Sequence, residues 1–152
     1  MNMMQAVKSV YSNYFTFSGR SRRAEFWWFY LFYLIVYFVL GMIDAVVFGT
    51  TTTSPGSFSA QTDTPILSGL FALATLIPNL ALGVRRMHDI DRKGWWLLIS
   101  LIPLVGIIVL IVWFAKAGDA GPNRFGADPI SGDGAPPPPP EDSYRDTSIP
   151  KV

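Results

Sequence analysis

Three long apolar blocks constrain the fold of this chain more than any other feature. The first, Trp27–Phe48, contains one charged residue, Asp44, whereas the second, Ile66–Val84, and the third, Trp95–Ala115, contain none. Each block is about 19 to 22 residues long and would cover roughly 28 to 33 Å as a helix, which matches the hydrocarbon core of a bilayer. The sequence therefore predicts an all-α membrane protein with three transmembrane helices.

The third block leaves a second arrangement open. Pro103 and Gly106 interrupt it, and transmembrane helices tolerate such residues. The alternative is a hairpin at Pro103–Gly106 that re-enters the membrane and returns the following residues to the starting side. Its arms would be only about eight to ten residues long, too short to span, so three spans are the prediction.

Basic residues beside the blocks predict the orientation of the chain. Seven of them flank one end of the predicted spans: Arg20, Arg22, Arg23, Arg85, Arg86, Arg92 and Lys93. The connection 49–65 on the other side has neither Lys nor Arg. Because cytoplasmic loops of membrane proteins are enriched in Lys and Arg, we expect a cytoplasmic N-terminus. Three spans would then place the chain beyond Lys116 in the periplasm.

The two ends of the chain differ in character from the blocks. We expect residues 1–26 to form a cytoplasmic leader with a short interfacial helix around Met4–Tyr14. Residues 27–115 are expected to form the three-span domain. Residues 116–152 are rich in turn-forming residues and include a proline run, Pro136–Pro140. This composition cannot bury an apolar core, so we expect a disordered tail.

Composition also limits the chemistry available to the chain. The formal net charge is +1, which does not favour nucleic acid binding. The chain has no cysteine and one histidine, so disulfides, thiol catalysis and metal motifs with two histidines are excluded. We therefore predict no cofactor and no metal site.

Four ordered motifs resemble a known family. They are FTFSGRSRRAEFWW at 15–28, RRMHDIDRKGWW at 85–96, IPLVG at 102–106 and NRFGADP at 123–129. Together they are similar to the bacterial YhaH-like inner-membrane family, catalogued as domain of unknown function 805, over about residues 8 to 130. Met87 and Lys93 depart from the family's usual residues. The resemblance implies a small, multi-pass protein of the bacterial inner membrane and no particular activity.

The charged residues at the cytoplasmic face carry the leading functional hypothesis. Anionic lipid head groups attract each surface cation by about 1 kcal/mol, and nearby carboxylates offer ion pairs. We expect a non-enzymatic module that binds anionic lipid or a membrane-protein partner through Arg20, Arg22, Arg23, Glu25, Arg85, Arg86, His88, Asp89, Arg92 and Lys93. The competing explanation is that these residues only enforce topology and pair with one another.

Two other functions remain open. A small transporter or channel subunit would use the intramembrane polar residues Asp44 and Asn79 with a tyrosine stripe on the first block, formed by Tyr30, Tyr33 and Tyr37. A lipid head-group enzyme would use His88 and Asp89, although one acid–base pair without a nucleophile or cofactor motif is a weak signal. The sequence leaves the oligomeric state open and favours a protein that is not an enzyme.

Helical periodicity predicts how the first two spans pack. Polar and small residues recur at steps of three and four along one face of each block. If the two spans are antiparallel, these faces meet in four pairs, namely Asp44 with Ser68, Gly41 with Ala72, Tyr37 with Thr75, and Tyr33 with Asn79. Small side chains would then let the helices approach closely and hydroxyl groups would face away from lipid.

Overall fold

The N-terminal leader forms the first helix, α1 (Met3–Ser12), in a computed structural model that describes residues 1–61 and 64–131. A capping box begins this helix, because Asn2 and Gln5 each accept a hydrogen bond from the other's backbone N–H. Its buried residue Val10 packs against Phe29 and Leu82 of the two long helices. The predicted short helix in the leader is thus confirmed, and it is docked on those helices.

Two long helices form the body of the molecule. They are α2 (Arg23–Phe48) and α3 (Ile66–His88), which contain the first two predicted blocks. Both are long and apolar enough to cross a membrane by length and composition. Almost none of the most apolar stretch of α2 is buried inside the protein, so this helix presents its side chains outward. Such exposure suits a lipid environment.

The connection between α2 and α3 contains a β-hairpin. Its antiparallel strands are β1 (Thr50–Ser54) and β2 (Ser57–Gln61), paired so that Ser54 lies opposite Ser57. Pro55 and Gly56 form the turn, and Gly56 has a φ of 91°, which glycine adopts without strain. The first two apolar blocks are helical as predicted. The β-hairpin between them was not predicted.

The third apolar block is not one continuous helix. It forms a 3-10 helix, Gly94–Leu101, and after a bend an α-helix, α4 (Val105–Ala115). With 11 residues, α4 is about 16 Å long, roughly half of the hydrocarbon core. The rings of Trp96 and Trp113 lie 5.6 Å apart, so the two ends of the block are together. The predicted span 95–115 is therefore corrected to a two-armed hairpin, the arrangement that the sequence left open as the alternative.

The bend has a local cause. Pro103 disfavours helical geometry in the residue before it, and Ile102 is extended, with φ −84° and ψ 109°. Leu104 then adopts a positive φ of 63°. Gly106 packs against the backbone of Ile99, and a Cβ atom at this position would collide with the Ile99 carbonyl oxygen. Apolar composition alone did not reveal this bend, because both arms are as hydrophobic as a span.

The chain beyond α4 returns to the end of the long helices that carries the arginines. The Asp119 N–H donates to the backbone oxygen of Asp89 over 2.8 Å, and Arg20 donates to the Gly121 oxygen. The expectation that the chain beyond Lys116 lies at the opposite end of the spans is wrong. The expectation of disorder is likewise corrected for 116–131, where arginine side chains bind the backbone oxygens of Lys116, Asp119 and Gly121. The predicted disorder of 132–152, with Pro136–Pro140, lies outside the described residues.

Candidate functional site

Two of the sequence motifs, 15–28 and 85–96, meet at the carboxylate of Asp89, which directly follows α3. Its Oδ1 accepts hydrogen bonds from Arg20, over 3.1 Å from Nε, with Nη2 at 3.0 Å. Its Oδ2 accepts from Arg86 Nη1 over 2.5 Å. The three side chains are at most 2 % exposed. We call Arg20, Arg86 and Asp89 the arginine–aspartate cluster. Burial raises the pKa of the Asp89 carboxyl, and the two positive charges oppose that rise.

The remaining donors of the cluster bind backbone oxygens of the last turn of α4 and of the segment that follows it. Arg86 donates from Nε and Nη2 to the Phe114 oxygen, over 3.2 and 3.1 Å, and from Nη2 to the Lys116 oxygen. Arg20 donates to the oxygens of Asp119 and Gly121 over 2.6 and 2.5 Å. Helix ends leave carbonyl groups without partners, and guanidinium groups satisfy them here. The cluster thereby fastens the segment 116–121 to the long helices.

Gly118 lies directly on this cluster. A Cβ atom at position 118 would overlap both carboxylate oxygens of Asp89. The segment can therefore approach the carboxylate closely only because residue 118 has no side chain.

A second buried pair lies beside the cluster. Glu25 accepts hydrogen bonds from the hydroxyls of Ser9 and Ser21 over 2.7 and 2.6 Å, and Arg85 Nη1 is 3.7 Å from its Oε1. The Nε and Nη2 atoms of Arg85 are buried and have no hydrogen-bond partner within the described residues. Glu25 and Arg85 therefore join α1, α2 and α3 inside the protein.

His88 is held by the last family motif, 123–129. Its Nδ1 lies 3.0 Å from the Gly19 oxygen, and its ring stacks on Phe125 with centroids 3.9 Å apart. The amide of Asn123 donates to the backbone oxygen of His88 over 2.8 Å. His88 and Asp89 thus have separate partners. This geometry gives no support to the acid–base pair considered from the sequence.

The other basic residues differ in the exposure of their side chains. Arg92 lies over the ring of Trp113, 4.2 Å from its centroid. Arg23 is exposed and donates to the Ala115 oxygen over 3.4 Å. Arg22 is partly exposed and Lys93 is exposed. Of the ten predicted site residues, Arg22, Arg23 and Lys93 are therefore the cations best placed to meet a ligand.

Lys93 lies at the edge of an open groove of about 560 Å³ between α3, the 3-10 helix and the leader. We call it the interfacial groove. Almost all of its walls are apolar, and its lining includes Phe17, Val84, His88, Lys93, Trp95 and Phe125. A groove of this kind can hold a hydrocarbon chain beside a positive charge.

Asp44 does not face an open pathway. It is fully buried and accepts hydrogen bonds from the backbone N–H groups of Leu67 and Ser68, over 2.9 and 2.8 Å. The Ser68 hydroxyl donates to the same carboxylate over 2.7 Å. Because Pro65, the residue before α3, makes no capping bond, Asp44 serves as the cap of that helix from across the seam. The predicted pairing of Asp44 with Ser68 is confirmed.

The other three predicted pairs are not joined by hydrogen bonds in the described part of the chain, and the pairing of Gly41 with Ala72 stays a prediction. The Thr75 hydroxyl donates to the Phe71 oxygen of its own helix over 2.7 Å rather than meeting Tyr37. Tyr37 is 43 % exposed and stacks on Tyr33, with ring centroids 5.9 Å apart. Asn79 and Tyr33 line one cavity without a direct hydrogen bond between them in the described part of the chain.

Sequence reasoning missed several partners in this region. Ser9 and Ser21, which hold Glu25, carry no signal beyond their position near the basic motif. Gly19 acts through a backbone oxygen, which every residue possesses. The motif NRFGADP was a usable signal for Asn123 and Phe125, although it did not reveal their partner.

Comparison with known proteins places these motifs in a family. The model of the DUF805 family, described as a protein of unknown function, matches residues 14–127. The chain is 41% identical over 129 residues to the inner membrane protein YhaI of Escherichia coli K12, covering 85% of this chain and 98% of the relative. It is 39% identical over 120 residues to YhaH of the same strain, covering 79% and 92%. No solved structure matches the chain.

Proposed function

The chain belongs to the DUF805 family of bacterial inner membrane proteins, and we propose that it is a non-enzymatic module that binds an anionic phospholipid at the cytoplasmic face. The relatives are inner membrane proteins by name, and their names state no ligand. The proposal therefore depends on the geometry of this chain.

The first part of the proposal is the topology. Two spans, α2 and α3, cross the membrane, and the third apolar block enters and leaves on one side. The end of the spans with Arg20, Arg86 and Lys93 is cytoplasmic, because basic residues are retained there. The leader and the segment 116–131 contact this end, so both lie in the cytoplasm, and the β-hairpin lies in the periplasm.

The interfacial groove is the observation that carries the lipid proposal. Its apolar walls suit an acyl chain, and the exposed ammonium of Lys93 at its edge suits the phosphate of a head group. The groove lies at the level of the cytoplasmic basic residues, where head groups begin. An anionic phospholipid has both parts in one molecule, which favours it over a protein partner.

This proposal is narrower than the sequence hypothesis. Seven of the ten predicted residues act by holding the groove in place through internal contacts: Arg20, Glu25, Arg85, Arg86, His88, Asp89 and Arg92. Arg22, Arg23 and Lys93 offer charge to lipid. The His88 ring has two roles, because it packs on Phe125 and also lines the groove.

Lipid retention by charge variants tests the proposal. The full chain is released from bilayers of equal phosphatidylglycerol and phosphatidylcholine, and native mass spectrometry counts the bound lipids. Lys93→Gln is expected to lower the preference for phosphatidylglycerol about fivefold, because one interfacial cation contributes about 1 kcal/mol. Lys8→Gln is the matched control, since Lys8 is exposed on α1, carries the same charge and lies outside the groove. Equal effects of the two variants, or no effect of Lys93→Gln, would contradict the proposal.

A further inference from the structure

A second cavity lies deeper between the spans. It measures about 370 Å³ and is bounded by α2, α3, the 3-10 helix and α4. We call it the intramembrane cavity. Four polar side chains from three elements line it, together with two aromatic rings: Tyr30, Tyr33, Asn79, Ser100, Phe26 and Phe114. It thus contains two tyrosines of the stripe and Asn79, which the lipid proposal leaves without a role.

The polar groups of this cavity are accessible and have no partner among the described residues. Within residues 1–61 and 64–131, the side chains of Tyr30, Tyr33, Asn79 and Ser100 make no hydrogen bond, whereas Thr75 nearby is satisfied by its own helix. At the depth of the hydrocarbon core there is no bulk water to replace the missing partners, so each such group is costly. Their convergence on one cavity indicates a ligand with hydrogen-bonding atoms.

The lining also limits the chemistry of that ligand. None of the described residues that line the cavity is charged, so a charged head group would be desolvated without compensation. The hydroxyls and the Asn79 amide can each donate to a carbonyl oxygen. The rings of Phe26 and Tyr30 are nearly parallel, at 7°, and Tyr30 and Tyr33 differ by 23°, which provides flat walls.

We propose that the intramembrane cavity binds a lipid-soluble quinone. Such a molecule has a flat, neutral ring, two carbonyl oxygens and an apolar tail, and it enters from the bilayer. Its carbonyl oxygens accept from Tyr33 and Asn79, and its tail leaves between the helices. The site adjoins the interfacial groove, with which it shares Leu80, Leu97 and Leu98, but its polar groups are its own and its occupation does not depend on anionic lipid.

Titration of the full chain with decylubiquinone tests this site. The protein is held in phosphatidylcholine nanodiscs, and quenching of its tryptophan fluorescence is followed as the quinone is added. A bound quinone gives a saturable component, whereas simple partition into lipid gives a linear one. Tyr33→Phe and Asn79→Leu, which each remove one donor from the cavity, are expected to weaken binding about threefold to tenfold.

The control is Tyr37→Phe, which removes a hydroxyl from the same stripe of α2 at a position that does not line the cavity. It is expected to leave the affinity unchanged, and so is Lys93→Gln, which affects only the interfacial groove. Linear quenching of the unmodified chain would overturn the proposal. Equal losses in Tyr33→Phe and Tyr37→Phe would also overturn it, as would displacement of the quinone by added phosphatidylglycerol. Far-ultraviolet circular dichroism checks that each variant is folded.

Discussion

At the level of single residues, Asp89 holds together parts of the chain that are far apart in sequence. Its carboxylate binds Arg20, 69 residues away, and Arg86 on the last turn of α3. Both guanidinium groups also bind backbone oxygens after α4. A buried carboxylate between two arginines is difficult to replace, because its loss leaves two buried cations without a counter-charge.

Asp89→Asn therefore tests the internal role of the cluster. The substitution keeps the shape of the side chain and removes its charge, and we expect the free energy of unfolding in mixed SDS micelles to fall by about 3 to 5 kcal/mol. Asp91→Asn is the matched control. Asp91 pairs with Arg124 over 2.8 Å, but the two side chains are 50% and 53% exposed, so its loss should cost at most about 1 kcal/mol. If the two variants lose the same free energy of unfolding, the buried charge of Asp89 does not stabilise the cluster as described.

At the level of elements, α3 is supported at both ends by residues outside it. At the start of α3, Asp44 of α2 accepts hydrogen bonds from the backbone N–H groups of the first turn. At its end, Asp89 accepts a hydrogen bond from Arg20, which lies before α2. A carboxylate at a helix N-terminus also interacts favourably with the helix dipole. The role of Asp44 is thus to position α3.

Replacement of Asp44 should loosen the start of α3. Asp44→Ala removes acceptors for two backbone N–H groups and one hydroxyl, and we expect a loss of about 2 kcal/mol with faster hydrogen exchange at Leu67 and Ser68. Ser68→Ala removes only the hydroxyl bond and should cost about 1 kcal/mol. Greater damage from Ser68→Ala than from Asp44→Ala would show that Asp44 does not cap the helix.

Sequence reasoning predicted some of these elements better than others. Uniform hydrophobicity over a bilayer's thickness was sufficient to locate α2 and α3, and helical spacing was sufficient to pair Asp44 with Ser68. The third block carried the same signal, and its Pro103 and Gly106 left a hairpin open as the alternative, but the contacts that decide for the bend are those of Gly106 with Ile99 and of the distant arginines. Hydropathy measures none of these. The β-hairpin had a local signal in its threonine run and Pro55–Gly56 turn.

The sequence was sufficient to predict which residues belong to the candidate site, but not which of them bind one another. Charge counting identified all the residues of the arginine–aspartate cluster as members of one membrane face. It could not separate Arg86, which is fully buried, from Lys93, which is exposed. That difference arises because backbone oxygens of the segment after α4 cover Arg86, and backbone partners are invisible in side-chain patterns.

At the level of the whole molecule, one end of the structure is closed by long-range contacts. The leader, the ends of α2 and α3, and the segment 116–131 all meet at the arginine–aspartate cluster and its neighbours. Because the third block begins and ends beside Arg92, through Trp96 and Trp113, it enters and leaves at this end as well. These contacts support the proposed topology, which is the central claim to test: two spans, a re-entrant third block and both described ends in the cytoplasm.

Labelling of single cysteines in spheroplasts tests this claim most directly, because the chain has no cysteine of its own. The variants are Met4→Cys in the leader, Pro55→Cys in the β-hairpin turn and Ser131→Cys after α4, all at exposed positions. A membrane-impermeant maleimide should label Pro55→Cys in intact spheroplasts, and Met4→Cys and Ser131→Cys only after lysis. Labelling of Ser131→Cys in intact spheroplasts, with Met4→Cys protected, would contradict the two-span topology and support three spans.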